Sequence, residues 1–343
     1  YWFYQISLVS PLANAIAIPV VSFLVTPLAM LGAFLPWMLG DFCLWFAHAI
    51  FSVLMYFIAP MAQMEWSSIH AAKPPGWHLV LACIGVVICI RPGIILVSWV
   101  SRFIGLLMCL SLWLPREYLP NHIPYGELEM TVWDIGQGNA VLIKTQSHQL
   151  LFDTGPVSFG KFDPAEKVII PHLRASGIRN INQLVISHQD ADHIGGLGYL
   201  LKHFPIQKAM GSIAPDHQVQ QLFKKNKVLL EKCQIGQSWH WDGIDFYVWH
   251  PQLQADEKAQ YKSTKPNDMS CVIEARLKHH SIWLTGDVEK NAERHIVERL
   301  MEDHTELKAI QTRNVILMAP HHGSKTSSTP MLLEYLNPES AFS

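Results

Sequence analysis

SHQDADHIGG, Ser187 to Gly196, is the stretch whose reading decides this chain. Ile181 to Ile186 before it reads as a short buried strand, and Gly195-Gly196 opens the next segment as a helix. That junction is a tight loop on which His188, Asp190, Asp192 and His193 can converge on one point. Imidazole and carboxylate together suit Zn or Mn, and an oxygen-rich set tilts toward Mn. A bound divalent ion would turn water into a nucleophile near neutral pH and polarise a phosphoryl or carbonyl oxygen. The plain alternative is a polar surface turn with chance histidines. Four ligand-type residues within six positions at a strand end argue against it.

Of the 343 residues 50% are hydrophobic and 16% charged, but the average hides two unlike halves. From Ile6 to Met61 there is no Lys or Arg, and Asp41 and His48 are among the few polar breaks. So long a charge-poor stretch reads as bilayer-embedded, and it is too long and continuous for a signal peptide. Ala15 to Leu35 has the length of a span, interrupted by Pro19 and Pro27. Leu39 to Ile58 is a second span or an interfacial helix, with Asp41 and His48 either snorkelling near a helix end or lining a water-filled cavity. Leu79 to Ile90 and Ile94 to Leu114 come next around Arg91-Pro92-Gly93, the first short for a span unless its helix begins near Gly76. Arg91 and Arg102 bias that hinge toward the cytoplasm, which puts the domain after Pro115 outside it. Pro115 to Tyr125 is Pro-rich and aperiodic, a linker.

The expected organisation is therefore membrane helices over 1–115, a linker over 116–126 and a soluble α/β domain over 127–343. The chain starts without Met inside an apolar pattern, so it is expected to be a fragment, with its last domain also incomplete. A net charge of -2 offers nucleic acid no bulk positive field, leaving local patches such as Lys224-Lys225-Lys227 or a metal. Cys233 and Cys271 lack CxxC spacing; they can pair in an oxidising compartment, but read more simply as buried thiols.

In the soluble half, strand ends hold nearly all the unusual residues. TVWDIGQGNAVLI (131–143) carries Asp134, then a Gly-x-Gly turn with Gln137, then Asn139. LLFDTG (150–155) repeats the arrangement with Asp153, either an Asx turn or a direct participant. PNDMSCV (266–272) presents Asn267, Asp268 and Ser270, which can orient substrate or ligands or simply make a turn. LTGD (284–287) places Asp287 before a predicted amphipathic helix, Val288 to Met301, as N-cap, metal ligand or both. MAPHHGSKTSS (318–328) brings His321, His322 and Ser324 to the end of a predicted strand, Asn314 to Met318. Adjacent histidines tend to point to opposite sides. His321 is the favoured ligand, with His322 donating to substrate. His240, His250, His279 and His280 lack a convergent acid, and Trp239, Trp241 and Trp249 read as packing residues.

DIGQGNA, LLFDTG, SHQDADHIGG, NDMSCV, LTGD and HHGSKTSS, in this order, resemble the metallo-β-lactamase-like domain of the ComEC family of DNA-uptake proteins. Ser7 to Ala29 is similar to the end of that family's membrane competence domain. The resemblance implies an αββα metallo-β-lactamase-like sandwich tethered to the last helices of a DNA channel in the bacterial inner membrane. It implies passage of single-stranded DNA into the cytoplasm, hydrolysis of the strand not imported, and contact with other DNA-uptake proteins. His188, Asp190, Asp192, His193, Asp287 and His321 would form a dinuclear site, two Mn by preference and Zn as the other candidate. Asp192 would bind metal and orient the nucleophile, with His188 and His322 beside it in catalysis. Asp134, Gln137, Asn139, Asp153, Asn267, Asp268, Ser270 and Ser324 would contact substrate or orient the ligands.

Asp190 stands where the wider superfamily's HxHxDH motif has its second His, as is common in the ComEC family, and Asn139 replaces the Asp that usually comes after GQG. The family's further Gly/Asn/His-containing segment has no counterpart before Ser343. Two other functions stay open: a translocation protein whose metal domain only grips or threads DNA, favoured by Asn139 and the low net charge, and a hydrolase of a lactam or lactone.

Overall fold

Backbone amides in an apolar stretch find no solvent partner, so they bond one another as helix. In a computed structural model that describes residues 5–64, 67–70, 76–90, 98–113, 123–156, 163–302, 310 and 312–343, the chain divides into two units, Tyr1–Arg116 and Glu117–Ser343. In the first, α1 (Ser10–Val20), a π-helical turn (Val21–Val25) and α2 (Thr26–Phe34) form one helical run. The π-turn lies between Pro19 and Pro27, where a missing N–H and a crowding ring disturb the i→i−4 ladder, and the N–H of Thr26 reaches back to the carbonyl of Val21. After an extended Leu35-Pro36 comes α3 (Trp37–Gln63), about 40 Å long at the usual helical rise.

Ser10–Phe34 and Trp37–Met61 are each long and apolar enough to cross a membrane, and only 6% and 11% of their apolar windows are buried within the protein. The remaining apolar faces, with Phe23, Phe34, Phe42 and Trp45 exposed, suit lipid contact by composition. His48 Nε2 lies 3.4 Å from Ser52 Oγ one turn on, so its polar atom finds a partner within α3. A short pair, β1 (Gln5–Ser7) and β2 (Ser68–His70), brings the two ends of this hairpin together. Next come α4 (Gly76–Ile90), which does begin at Gly76, and α5 (Ser98–Leu110). They touch at Gly85 and Gly105: a Cβ on Gly105 would stand 2.7 Å from the carbonyl oxygen of Gly85. Arg91 and most of the expected linker lie outside the described residues.

Beyond Tyr125 the apolar period shortens to two, and strands begin. The first sheet takes its strands in chain order: β3 (Glu129–Val132), β4 (Val141–Lys144), β5 (Gln149–Phe152), β6 (Ile181–Ile186), β7 (Ile206–Gly211) and β8 (Leu230–Lys232). It is antiparallel from β3 to β5 and parallel from β5 to β8. The second contains β9 (Ser238–Trp241), β10 (Ile244–His250), β11 (Val272–Arg276), β12 (His280–Leu284), β13 (Asn314–Met318) and β14 (Pro338–Phe342). Here β9 to β12 are antiparallel and β12 to β14 parallel.

Alternation along the strands builds three apolar layers. Leu142, Leu151, Leu184 and Ile186 pack outward against α6 (Ile170–Ala175), α8 (Leu197–His203) and α9 (Val219–Lys225), which contribute Leu173, Leu200 and Phe223; the one-turn α7 (Ala191–Ile194) precedes α8. Their sequence neighbours Val141, Ile143, Leu150, Phe152 and Val185 face the second sheet and meet Phe246, Val248, Ile273, Ala275 and Leu284. On that sheet's far face Trp283, Val315 and Leu317 cover Ile296, Val297 and Leu300 of α11 (Lys290–Glu302) and Leu332 of α12 (Pro330–Leu336), while α10 (Glu257–Ser263) sits in the β10–β11 connection. This is the expected αββα order. Trp249 stacks on Trp283 and Trp239 on Phe246, so those indoles are packing residues.

Two expectations are corrected. Cys233 and Cys271 are bonded to each other, since the sandwich brings two strand ends 38 residues apart to a Cα separation of 5.9 Å. Asp287 does not cap the next helix, because α11 starts three residues later at Lys290.

Candidate metal centre

Strand direction gathers the site. β3, β5 and β6 run the same way, so the loops carrying Asp134, Asp153 and Ser187–His193 leave one edge of the first sheet. β12 and β13 are parallel and β11 opposes them, so Asp287, the two histidines and Ser270 share one edge of the second. The N–H of Cys271 donates to the carbonyl of Ser187 at 2.7 Å and joins the two edges.

His193 is held from behind. Its Nδ1 is 2.7 Å from Asp153 Oδ2, and Asp153 also accepts from the Ser187 N–H and Oγ at 2.7 Å each. Asp153, fully buried with φ at +58°, is the orienting carboxylate of the site and no mere turn residue. The His193 Nε2 lies 3.2 Å from Asp287 Oδ1 and 3.7 Å from Asp192 Oδ2. His188 is fixed in the same manner: its Nδ1 is within 3.0 Å of Ser187 Oγ and 3.3 Å of Ser270 Oγ, and its Nε2 is 3.6 Å from Asp190 Oδ2. Ser270 Oγ also accepts from the Asp287 N–H at 3.2 Å.

At the HHGS turn the structure reverses the expected order of the histidines. His321, His322 and Gly323 all have positive φ, 50°, 52° and 75°. That succession rotates His322 inward, its Nε2 3.5 Å from Asp287 Oδ2 and 3.6 Å from Asp192 Oδ2. Two successive non-glycine residues in this region cost on the order of 1–3 kcal/mol each and need support from around them. Support comes from the His321 N–H to the Gly286 carbonyl, from Ser327 Oγ to the Pro320 carbonyl, and from Glu293, which accepts from the Ser328 and Thr329 N–H groups. His321 faces the rim instead. Its Nδ1 meets Thr326 Oγ1 at 2.9 Å, its Nε2 lies 3.3 Å from Asn267 Nδ2, and Asp287 Oδ2 is 3.9 Å away.

Asp192, His193, Asp287 and His322 thus present ligand atoms that all lie within 4.8 Å of one another. His188 and Asp190 stand beside them, the His188 and His193 rings 4.2 Å apart. The test of fit to a metal is whether the inward atoms are otherwise satisfied. They are not: His188 Nε2, His193 Nε2, His322 Nε2 and Asp287 Oδ1 are buried without a hydrogen bond, the 3.2 Å His193–Asp287 approach being misaligned for one. Leaving four such atoms bare is costly, and a divalent cation is the partner this donor set fits.

Without a metal, protons carry the balancing charge. Burial works against a charged His193, but the Asp153 and Asp287 carboxylates outweigh it and take its pKa up to about 10. Asp192 is lowered to about 2, chiefly by His322, against the effect of burial. His322 is raised in turn by Asp192. Burial opposes ionisation of Asp287, yet His193 and its neighbours lower its pKa.

The other expected residues divide. Gly138 lets the GQG loop abut Asp192, since a Cβ there would collide with the Asp192 carbonyl, and its φ is +128°. Asn139 is buried, its carbonyl accepting from the Gly155 N–H at 2.9 Å. Asp134 and Gln137 are exposed on that loop and make no contact with the cluster; Asp134 turns back to the Gly136 N–H. Asp268 accepts from the Glu289 N–H, and Ser324 Oγ pairs with Thr326 Oγ1, so both act on the surrounding loops. Glu293 is not among the expected residues, although an acid among Ala292, Ile296, Val297 and Leu300 on the apolar stripe of α11 is a visible signal.

Residues 1–93 match the family model described as Competence protein, and residues 133–228 match that of the metallo-beta-lactamase superfamily. The chain is 30% identical to Competence protein ComA of Neisseria gonorrhoeae, over 99% of this chain and 43% of that protein. It is 28% identical to ComE operon protein 3 of Bacillus subtilis (99% and 44%) and 27% to Recombination protein 2 of Haemophilus influenzae (99% and 42%). The chain thus joins a Competence-protein region to a metallo-beta-lactamase region, and it is similar over nearly its whole length to these proteins. It spans about two fifths of the length of these relatives. Among solved structures, the metallo-beta-lactamase fold protein YhfI from Bacillus subtilis is 12% identical, covering 63% of this chain and 96% of that one at a TM-score of 0.35. The fold assignment rests on the matched metallo-beta-lactamase model and the two-sheet topology.

Proposed function

We propose that this chain is part of a DNA-uptake protein of the bacterial inner membrane. Its second unit is a divalent-metal phosphodiesterase that degrades the strand not imported, and its helices belong to the channel that passes the other, single strand. The observation that carries the hydrolase reading is the set of four unsatisfied inward atoms on His188, His193, His322 and Asp287. The substrate class rests on the resemblance to DNA-uptake proteins, which the matched Competence protein model and the similarity to Competence protein ComA support. The Cys233–Cys271 bond supports an extracytoplasmic placement, because disulfides persist in oxidising compartments. Lipid, single-stranded DNA and other uptake proteins are the proposed partners.

His188, Asp190, Asp192, His193, Asp287 and His322 would hold two ions, and the carboxylate share favours Mn. Such ions would supply Lewis acidity toward a phosphoryl oxygen and acidify water. The protein's own contribution is orientation and proton handling. Asp153 and the Ser187 and Ser270 hydroxyls fix the His193 and His188 rings, so their Nε2 atoms are preorganised. Asp192, half-exposed and ionised at neutral pH, accepts a hydrogen bond from the attacking water at Oδ2. His321, on the rim, accepts from the Asn267 amide at Nε2 and orients that amide toward the phosphodiester, while His322 takes the ligand place expected of His321.

The test is loss of label from end-labelled single-stranded DNA, using the whole protein in detergent with Mn. Cleavage should require both Mn and Asp192 (Asp192→Asn as control). His322→Ala should reduce the rate about 10²–10³-fold, as for loss of a group acting on the reacting centre, and His321→Ala about 10–100-fold. No cleavage with any divalent ion by folded, metal-loaded protein would sink the nuclease; a domain that only grips or threads DNA would then be the reading.

A further inference from the structure

The loop Asn267–Ser270 serves two places at once. Asn267 reaches His321, and Ser270 reaches His188 and Asp287, while Asp268 and Met269 line a cavity of 890 Å³. That volume lies near the top of the roughly 300–1,000 Å³ usual for ligand sites. Two cations, Lys265 and Arg294, line it beside His295, with hydroxyl and amide groups between them. Asp268, the carboxylate in the lining, is committed to the Glu289 N–H at 3.2 Å.

The cations have local partners that a polyanion can replace. Lys265 Nζ is 2.7 Å from Glu289 Oε2 with its side chain 67% exposed, and Arg294 and His295 both approach Glu298, at 3.8 and 3.5 Å. The Arg294–Glu298 pair is exposed at both ends, weak and screened, while the Lys265–Glu289 pair is exposed at its lysine end and 13% exposed at its glutamate. Glu289 also connects the cavity to the metal centre, since its other oxygen lies 3.7 Å from His321 Nδ1. By contrast, a cavity of 410 Å³ beside Trp239 and Trp241 lies at the opposite strand edge and carries one lysine and one glutamate, Lys208 and Glu231.

We infer that the 890 Å³ cavity seats the sugar–phosphate backbone of the nucleic-acid strand flanking the phosphodiester at the metal centre, with Lys265 and Arg294 as its phosphate contacts. The anionic chemistry comes from the cavity itself; naming the anion as nucleic acid rests on the function proposed above. Two cations on exposed side chains are thereby placed beside the metal centre, each held by a carboxylate that a phosphate can replace. A hydrolytic centre needs such a hold, because correct positioning of the scissile group supplies much of the rate.

The experiment is fluorescence anisotropy of a labelled oligothymidylate on the whole protein in detergent, with EDTA present so that nothing is cleaved, over a range of salt. The double variant Lys265→Ala/Arg294→Ala should bind about tenfold more weakly, and its slope of log affinity against log salt should fall by about 1.4, at about 0.7 per phosphate contact on a single strand. Lys265→Arg/Arg294→Lys should retain the slope. An unchanged affinity and slope in the alanine double variant overturns the inference, as does an equal loss in the conservative one. Binding is read without metal, so a protein that never cleaves DNA but loses its slope overturns the nuclease and leaves the groove standing. Cleavage with an unchanged slope does the reverse.

Discussion

At the scale of single residues, the metal-free cluster is a proton store. His193 keeps one ring nitrogen on Asp153 and turns the other, Nε2, toward Asp287 and Asp192. With its pKa raised to about 10 it is charged at neutral pH, so an incoming cation must displace the Nε2 proton. Asp192, lowered to about 2, is already ionised and releases nothing. Mn affinity should therefore rise with pH from 6 through 8, by up to about tenfold per unit for each proton displaced. Calorimetry in buffers of different ionisation enthalpy should show proton release on binding. Affinity independent of pH, with no release, would contradict this assignment. The same charge stabilises the metal-free fold fully below about pH 6.5, and that contribution is lost as pH rises through about 10.

At the scale of elements, turns decide what strands deliver. Asp242, in the β9–β10 turn at φ +48°, reaches across to the β4–β5 turn. It accepts from Thr145 Oγ1 at 2.5 Å, Ser147 Oγ at 2.7 Å, the Ser147 N–H at 2.8 Å and His148 Nδ1 at 3.0 Å. Burial opposes its charge, but these donors outweigh it and hold the carboxyl well below the usual carboxylate range. The stability it contributes is thus present above about pH 3.8 and lost as pH falls below that. Asp242→Asn keeps a residue tolerant of this backbone but sets an amide N–H against donors. It should cost about 1–3 kcal/mol, read as a lower melting temperature, and the loss should vanish in strong acid. The legible part at this scale was the strand set itself, since Val141 to Ile143 and Leu150 to Phe152 lie in short continuous apolar runs bounded by polar residues. The HHG turn was not legible: chain order cannot say which of two adjacent histidines enters a site when both adopt positive φ.

At the scale of the molecule, one covalent link ties the two sheets beside the metal centre. Cys233 comes just after β8 of the first sheet, and Cys271 precedes β11 of the second, next to Ser270. Closing a 38-residue loop should stabilise the fold by about 4 kcal/mol on the chain-entropy account. Cys233→Ser/Cys271→Ser, or reduction of the native protein, should lower the melting temperature by that measure. It should also weaken metal binding, because Ser270 anchors both His188 and Asp287. Equal melting curves with and without reductant would refute a structural role for the bond.

The sequence alone determined the two-part architecture, the likeness to competence proteins and the SHQDADH cluster. Each is written in short-range pattern: charge-poor helical stretches, short apolar strands, and ligands packed into one strand-to-helix junction. Only the tertiary structure decided that Asp153 orients His193, that His322 enters the cluster ahead of His321, that Asp287 serves the cluster without capping α11, and that Cys233 meets Cys271. Those facts depend on pairs tens of residues or more apart, or on a backbone twist that neighbouring loops hold in place. The free energy that fixes them comes from packing two sheets together, which no local pattern encodes.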